Sequence, residues 1–428
     1  MNVVIIGNGV TGVSAAIRIR QLQPDWKIAM ISGESEYHYS RPALMYIFMG
    51  HMSYKNTKPY ENSFWSRNDI NLVRDWVTEI DTGSKRLLMQ KLDPIYYDKL
   101  LIATGSKSNK FGWPGQDLKG VQGLYDLMDL RELYENTQGV KNAVIVVGGL
   151  IGIELAEMLH SRGLHVTFLV REKSYWDNVL PGEESSMINN LIKQENMELL
   201  LETELKEILD DGNGRVGGVI TNQGEKIDCG LVGLTAGVSP NLDLVKESRI
   251  PSGRGILVDS GLRTQIEDIY SAGDCAEIVT EGEGRNLIQQ VWYTGKMQGK
   301  VVGETIAGMD SVYDPGIWYN SAKFLNLEYQ TYGQANNAQE LLTIPGEKNI
   351  YWEHQNHLHS LRLVHNGNEI LGVNVMGLRY SHKICENWVR DKRSPDYVLD
   401  NLAQANFDPE FFKRYESDIV GTLKDQII

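Results

Sequence analysis

A glycine signature near the start of the chain constrains its fold more than any other feature. Gly7-Asn8-Gly9-Val10-Thr11-Gly12 follows a continuous apolar run at residues 3–6 and precedes a helical pattern over about 13–22; a second apolar run lies at 27–32. An apolar strand that does not alternate belongs to a parallel sheet covered on both faces. The segment therefore predicts a βαβ unit. Each glycine in such a turn has its own steric reason. The first permits the tight exit from the strand, the second lets an anionic pyrophosphate approach the backbone, and the third lets helix and strand pack closely. The helix N-terminus then supplies N–H donors to the anion, with Val10 and Thr11 of the motif among the expected cofactor contacts. Glu34 follows the second strand at about the distance where a carboxylate takes ribose hydroxyls.

The pattern recurs. Residues 143–147 form another continuous apolar run, Gly148 and Gly149 turn the chain, a helix is predicted from about 151 to 162, and a strand over 165–170. Val147 replaces the first glycine, so the turn must be made another way or the nucleotide is held less well. Gly149, Ile151 and Gly152 are the expected contacts. Val170 stands where an acid would favour NAD, and Arg171 could meet a 2′-phosphate. Glu172 beside it could repel that phosphate or bind the ribose itself. A Rossmann unit that binds nothing is the alternative for this copy. Two shorter motifs complete the set: Leu101-Ile102-Ala103-Thr104-Gly105, and the apolar strand 264–274, which ends at Gly273 and Asp274.

The chain has 428 residues, which predicts two or three domains. Gly112-Trp113-Pro114-Gly115 reads as the crossing into the second unit, and Gly237-Val238-Ser239-Pro240-Asn241 as the crossing back. This gives one domain over 1–112 and 240–315, an inserted domain over 113–239, and a C-terminal mixed α+β domain over 316–428. In the last, Asn366-Gly367 is placed to turn a hairpin between 359–365 and 370–375. The net charge of −14, from 42 basic and 56 acidic residues, argues against nucleic acid or an anionic membrane as partner. Cys229, Cys275 and Cys385 make no CxxC or metal-type spacing, and the first residues have no basic region of a signal peptide. A cytoplasmic setting is the default expectation. His354, His357 and His359 give no established ligand set, so no metal is expected.

The order of these motifs over roughly residues 1–310 resembles the pyridine nucleotide–disulfide oxidoreductase superfamily, flavoproteins with two dinucleotide-binding domains. Within it, Tyr39-Ser40-Arg41-Pro42-Ala43-Leu44 is similar to rubredoxin reductases and to the flavoprotein part of assimilatory nitrite reductases. The resemblance implies an α/β fold of two Rossmann-like domains, with an NAD(P)H domain inserted in an FAD domain. It places Asp274 at the ribityl or pyrophosphate region, Arg41 and Pro42 near the flavin, Val77 at the adenine end and Lys323 near the isoalloxazine ring. Glu154 is similar to a carboxylate near the nicotinamide, or is a first-turn acid favoured by the helix dipole. Ala103, Thr104, Gly105, Gly237 and Gly273 fall on the family's cofactor-binding segments. The implied activity is FAD-dependent oxidation of NADH or NADPH, with no dedicated acid or base and with electrons passed to a rubredoxin, a ferredoxin or another iron–sulfur carrier. Direct reduction of a small molecule such as oxygen or a quinone, and slow-turnover redox sensing, are the alternatives. A homodimer is compatible with the family. Departures are plain: 37–50 contains no cysteine, Tyr46 stands where some ferredoxin reductases have lysine, and Ser239 replaces a common arginine.

Overall fold

The computed structural model describes residues 1–147, 149–280, 286–335, 346–407 and 413–427. They form two compact units. The first comprises 1–111, 122–138 and 237–315. Its parallel sheet has the strand order Ile269–Ser271, Lys99–Ile102, Asn2–Ile6, Lys27–Ile31, Ile70–Val73. Alternate residues of the central strand enter two different cores. Val3 and Ile5 pack with Val13, Ala16 and Ile19 of the Val10–Leu22 helix, whereas Val4 and Ile6 pack with Ile80, Leu87 and Ile256. Burial on both faces is why this strand reads as an unbroken apolar run.

The Val10–Leu22 helix is held against the Trp292–Ile306 helix by a glycine at every fourth position of the latter. A Cβ on Gly295 would lie 2.9 Å from Thr11 Oγ1, one on Gly299 2.4 Å from the Thr11 carbonyl oxygen, and one on Gly303 2.9 Å from the Ala15 carbonyl oxygen. The two helices thus approach to backbone contact on this face.

The second unit comprises 112–121, 139–236 and 316–428. Its parallel strands run Glu198–Leu200, His165–Leu169, Asn142–Val147, Leu231–Thr235. A five-stranded antiparallel sheet follows, ordered Tyr319–Phe324, Leu327–Gly333, Ile370–Met376, Ser360–His365, Lys348–Glu353. The hairpin expected at Asn366-Gly367 is present. Gly367 takes φ 95°, and Asn366 Oδ1 accepts from the Asn368 and Glu369 N–H groups at 3.0 Å. The helices His382–Arg390, Pro395–Asp400 and Glu416–Lys424 supply Trp388, Val398, Leu399, Ile419 and Leu423 to one core with Leu361, Leu363, Val373 and Val375 of that sheet. Among the described residues no helix is long and apolar enough to cross a membrane.

Residues 122–138 group with the first unit, where Tyr134 OH donates to the Ile47 carbonyl at 3.0 Å. Residues 316–428 group with the inserted segment. Arg362 on the antiparallel sheet is buried against Glu184, fully buried on the Gly182–Gln194 helix, with nitrogen to oxygen 2.8 Å.

The glycine contacts make a stability prediction. Gly299→Val forces a side chain into the Thr11 carbonyl and is expected to destabilise the fold by about 1–3 kcal/mol, the range for overpacking. Gly421→Ala, at an exposed helical site with open space around it, is expected to stabilise by roughly 0.5–1 kcal/mol. Chemical denaturation of both variants checks the contrast.

Candidate functional site

In the first turn, two of the three glycines are demanded by the protein itself. Gly7 has φ 111° and a Cβ there would lie 2.1 Å from the Ala103 carbonyl oxygen; one on Gly12 would lie 2.1 Å from the Gly7 carbonyl oxygen. Gly9 differs. Its φ is −67° and an added Cβ meets nothing within 4 Å. No protein neighbour excludes a side chain at Gly9, which is what a position reserved for a ligand predicts. The helix beginning there has no side-chain cap and no acid in its first turn, so its leading N–H groups are left for an anion.

The turn is braced by residues that the sequence did not single out. Asn8 Nδ2 donates to the Ser35 carbonyl at 2.9 Å and to Ser35 Oγ at 3.1 Å. His38 Nδ1–H donates to the Asn8 carbonyl at 2.9 Å. Burial pulls the His38 imidazole down to about 4, so the ring is neutral at pH 7.

Of the other motifs in this unit, the one carrying Gly273 packs on the same turn. A Cβ on Gly273 would lie 2.4 Å from Thr11 Oγ1, and the Gly273 N–H donates to Gln298 Oε1 at 2.7 Å. Asp274 follows, its carboxyl raised by burial and accepting from Ser106 Oγ at 3.0 Å and Tyr125 OH at 3.4 Å. Thr104 Oγ1 donates to the Asn241 carbonyl at 2.9 Å, while the Asn241 N–H donates to the Gly105 carbonyl at 2.8 Å. Gly237, with φ 81°, accepts from the Asn109 N–H at 3.1 Å. Ser239 Oγ donates to Asn109 Oδ1 at 2.5 Å. Val77 opens the Val77–Asp81 strand and packs against the core that holds Ile31 and Leu87.

Glu34 is engaged by several protein groups. Its carboxylate is bound by the Arg41 guanidinium, with Nη2 to Oε2 2.5 Å and Nη1 to Oε1 3.4 Å. It also accepts from Tyr39 OH and, at 3.3 Å, from the Leu127 N–H. Arg41 in turn donates to the Tyr125 carbonyl at 3.1 Å and lies 4.7 Å from the centroid of the Tyr125 ring. A carboxylate has about four acceptor sites, and these partners take most of them. Pro42 is the second residue of the short Arg41–Ala43 turn, next to this arginine.

The second turn solves the loss of its first glycine by lengthening the strand. Val147 still pairs with Thr235, and among the described residues of the turn Gly149 has a positive φ, at 148°. The Leu150–Ser161 helix also starts with no side-chain cap and no first-turn acid, and the Gly152 N–H donates to the Gly149 carbonyl at 3.0 Å. Ile151 lies in the first turn of this helix and Glu154 beyond it, so the helix-dipole reading of Glu154 does not hold. Burial first, and then the nearby Glu157, push the Glu154 carboxyl up to about 7, with Lys323 opposing. Lys323 Nζ is 2.8 Å from Glu157 Oε1. The two residues expected near the nicotinamide and the flavin ring are thus joined through Glu157, which the sequence reading missed. Val170 is buried; Arg171, 70% exposed, pairs with Glu172 at 2.8 Å.

All three cysteines are buried and free. Burial pushes the Cys229 thiol up to about 12 and raises that of Cys385 as well. His357 Nδ1 pairs with Glu353 at 2.5 Å, and the His354 and His359 rings pack on Tyr415.

Residues 1–299 match the pyridine nucleotide-disulphide oxidoreductase family. The chain belongs to this family. It is 28% identical over 379 residues to nitrite reductase [NAD(P)H] of Bacillus subtilis, 87% of this chain but 45% of that protein, so it spans less than half of that relative. It is 30% identical to the CoA-dependent NAD(P)H sulfur oxidoreductase of Pyrococcus abyssi, covering 76% of this chain and 74% of the relative. It is also 28% identical to rubredoxin-NAD(+) reductase of Pseudomonas putida, covering 72% and 80%. The solved NAD-dependent persulfide reductase from A. fulgidus shares the fold, with TM-score 0.86 and 23% identity over 100% of this chain and 83% of that one. The family makes this protein an FAD-dependent NAD(P)H oxidoreductase.

Two outcomes test the site. Gly9→Val is expected to leave the apoprotein as stable as native apoprotein, yet unable to take up FAD; flavin titration monitored by absorbance reads this directly. For Glu154, a raised carboxyl favours the neutral form in the fold. Its stabilisation is present below the ordinary value of 4.5 and is lost as pH rises through about 7. Glu154→Gln keeps the neutral shape and is expected to melt higher than native protein at pH 8.5, with the difference shrinking towards pH 5. Equal melting temperatures at pH 8.5 would refute the assignment.

Proposed function

We propose that this oxidoreductase takes hydride from a nicotinamide nucleotide held at the Gly149 turn and delivers electrons to a small carrier protein, a rubredoxin, a ferredoxin or another iron–sulfur protein, without a thiol intermediate. FAD, when bound, accepts a hydride and can release electrons singly or as a pair. The observation that carries the thiol-free reading is the state of the cysteines. Cys275 and Cys385 are fully buried, Cys229 is 5% exposed, and none lies in 37–50. A thiolate is the reactive form, and buried structural cysteines are inert. The chain's own residues then hold and orient. Gly7, Gly9 and Gly12 admit the FAD pyrophosphate to the helix N-terminus, and Asp274 fixes the ribityl region. The Glu34–Arg41 pair sets the wall beside it. Glu154, Glu157 and Lys323 present a carboxyl and an ammonium where the nicotinamide is to be oriented.

Arg171 is the candidate reader of the 2′-phosphate. Its partner Glu172 is a neighbour in sequence, and exposed ion pairs are worth about 0–1 kcal/mol, so a phosphate can displace it. The likeness to the NADH oxidase of Methanocaldococcus jannaschii, 28% identical over 81% of this chain, supports direct reduction of oxygen as the competing reading.

Steady-state turnover with NADH and NADPH against rubredoxin, ferredoxin, oxygen and a quinone separates these. The carrier reading expects one iron–sulfur protein to exceed oxygen and quinone at least about tenfold, a difference of roughly 1.4 kcal/mol in barrier; oxygen as the fastest acceptor sinks it. A triple Cys→Ser variant is expected to be reduced by NAD(P)H at the native rate. Arg171→Ala is expected to weaken NADPH by about 1–3 kcal/mol and leave NADH unchanged in stopped-flow flavin reduction.

A further inference from the structure

The second glycine turn has an aromatic neighbour with an unused donor. A side chain built on Gly149 would meet Trp176 Nε1 at 2.8 Å, Cδ1 at 3.1 Å and Cε2 at 3.3 Å, so the N–H edge of the indole lies against this glycine. At the corresponding glycine of the first turn, Gly9, the same construction meets nothing within 4 Å. The tryptophan is held there from several sides. Its φ is 59°, a left-handed backbone that a bulky residue rarely adopts. Its carbonyl accepts from the Val179 and Leu180 N–H groups at 3.0 and 2.9 Å. The preceding Tyr175, fully buried, donates from its hydroxyl to the Gly149 carbonyl at 2.8 Å. The indole ring packs on Phe324 and Tyr329 at centroid distances of 5.5 and 6.0 Å. Backbone strain of this kind persists where the surroundings over-determine it, and it concentrates at ligand clamps.

An indole N–H can only donate, and that of half-buried Trp176 makes no hydrogen bond among the described residues. It sits beside the uncapped start of the Leu150–Ser161 helix, where a dinucleotide pyrophosphate is drawn by the helix N–H groups. We infer that Trp176 is a nucleotide-binding residue: its indole N–H donates to the pyrophosphate of NAD(P)H, and its ring covers the turn against water. This rests on the reading that the Gly149 turn receives the nicotinamide nucleotide. A neutral donor aimed at a phosphate makes a charge-assisted bond, stronger where water is excluded. Because NADH and NADPH share the pyrophosphate, the contact serves both equally, unlike that of Arg171.

The test uses the FAD-loaded enzyme with ADP-ribose, which carries the pyrophosphate, and AMP, which lacks it. Native protein, Trp176→Phe and Trp176→Ala are titrated by calorimetry, with flavin content and melting temperature measured alongside. Trp176→Phe keeps the ring and deletes the donor. It is expected to weaken ADP-ribose about tenfold or more, to leave AMP nearly unchanged, and to weaken NADH and NADPH by one common factor. Unchanged ADP-ribose affinity in Trp176→Phe overturns the donor. Tighter binding in Trp176→Ala overturns it too, because the ring would then be an obstruction. If ADP-ribose fails to compete with NAD(P)H in native protein, the assignment of the turn itself falls, an outcome distinct from the other two.

Discussion

The first unit depends on backbone-to-backbone contact at one point. The helix that leaves Gly9 must begin against the ends of two strands, and Gly7 and Gly12 each stand where a Cβ would lie 2.1 Å from a carbonyl oxygen. That approach sets the helix N-terminus at the edge of the sheet. It also requires the opposite face of the helix to be fixed as tightly, and the Gly295, Gly299 and Gly303 stripe does this by bringing a second backbone onto Thr11 and Ala15. Thr11 is thereby touched from two directions, by Gly273 and by Gly295. The first glycine turn and the turn carrying Asp274 are positioned through the same threonine.

The two glycine turns show which parts of the signature are steric and which are chemical. In the first, the positive φ falls on Gly7 and the third position keeps an ordinary backbone. In the second, the strand continues through Val147, and among the described residues of the turn Gly149 takes a positive φ. A β-branched residue suits the strand end but not a left-handed turn, so the turn is displaced rather than lost. Both helices still begin without a cap or a first-turn acid. The electrostatic requirement of an anion site is kept in both turns, and only the route by which the chain reaches it changes.

Much of this was legible in the sequence because it is local. Glycines at fixed offsets between a strand and a helix state their geometry directly, and Asn366-Gly367 between two apolar runs states a hairpin. What escaped is tertiary. Asn8, His38, Tyr125, Gln298 and Glu157 act across large separations in sequence, and nothing in their neighbours marks them. The three-glycine stripe of the Trp292–Ile306 helix had readable spacing, yet small residues at helical intervals acquire meaning only when the partner helix is known. Glu34 shows a different limit. Counting residues past a strand locates a carboxylate, but not the arginine seven residues on that takes it.

The Glu34 and Arg41 side chains are 11% and 31% exposed, and even partial burial of such a pair is costly. Removing an arginine and a carboxylate from water carries a desolvation penalty that their attraction only partly offsets, and exchanging such a pair for apolar residues is often neutral or stabilising. Its value to the fold is therefore better sought in position than in stability. The Arg41 guanidinium is held by Glu34, by the Tyr125 carbonyl and over the Tyr125 ring, and Tyr125 OH accepts from the Ser106 N–H at 2.8 Å while donating towards Asp274. A rigid planar cation with several fixed partners places its neighbours more accurately than a flexible ammonium could. The chain of contacts runs from the end of the second strand to the acid of the last motif. It ties segments far apart in sequence around one dinucleotide turn, and an apolar replacement that preserved stability would lose that alignment.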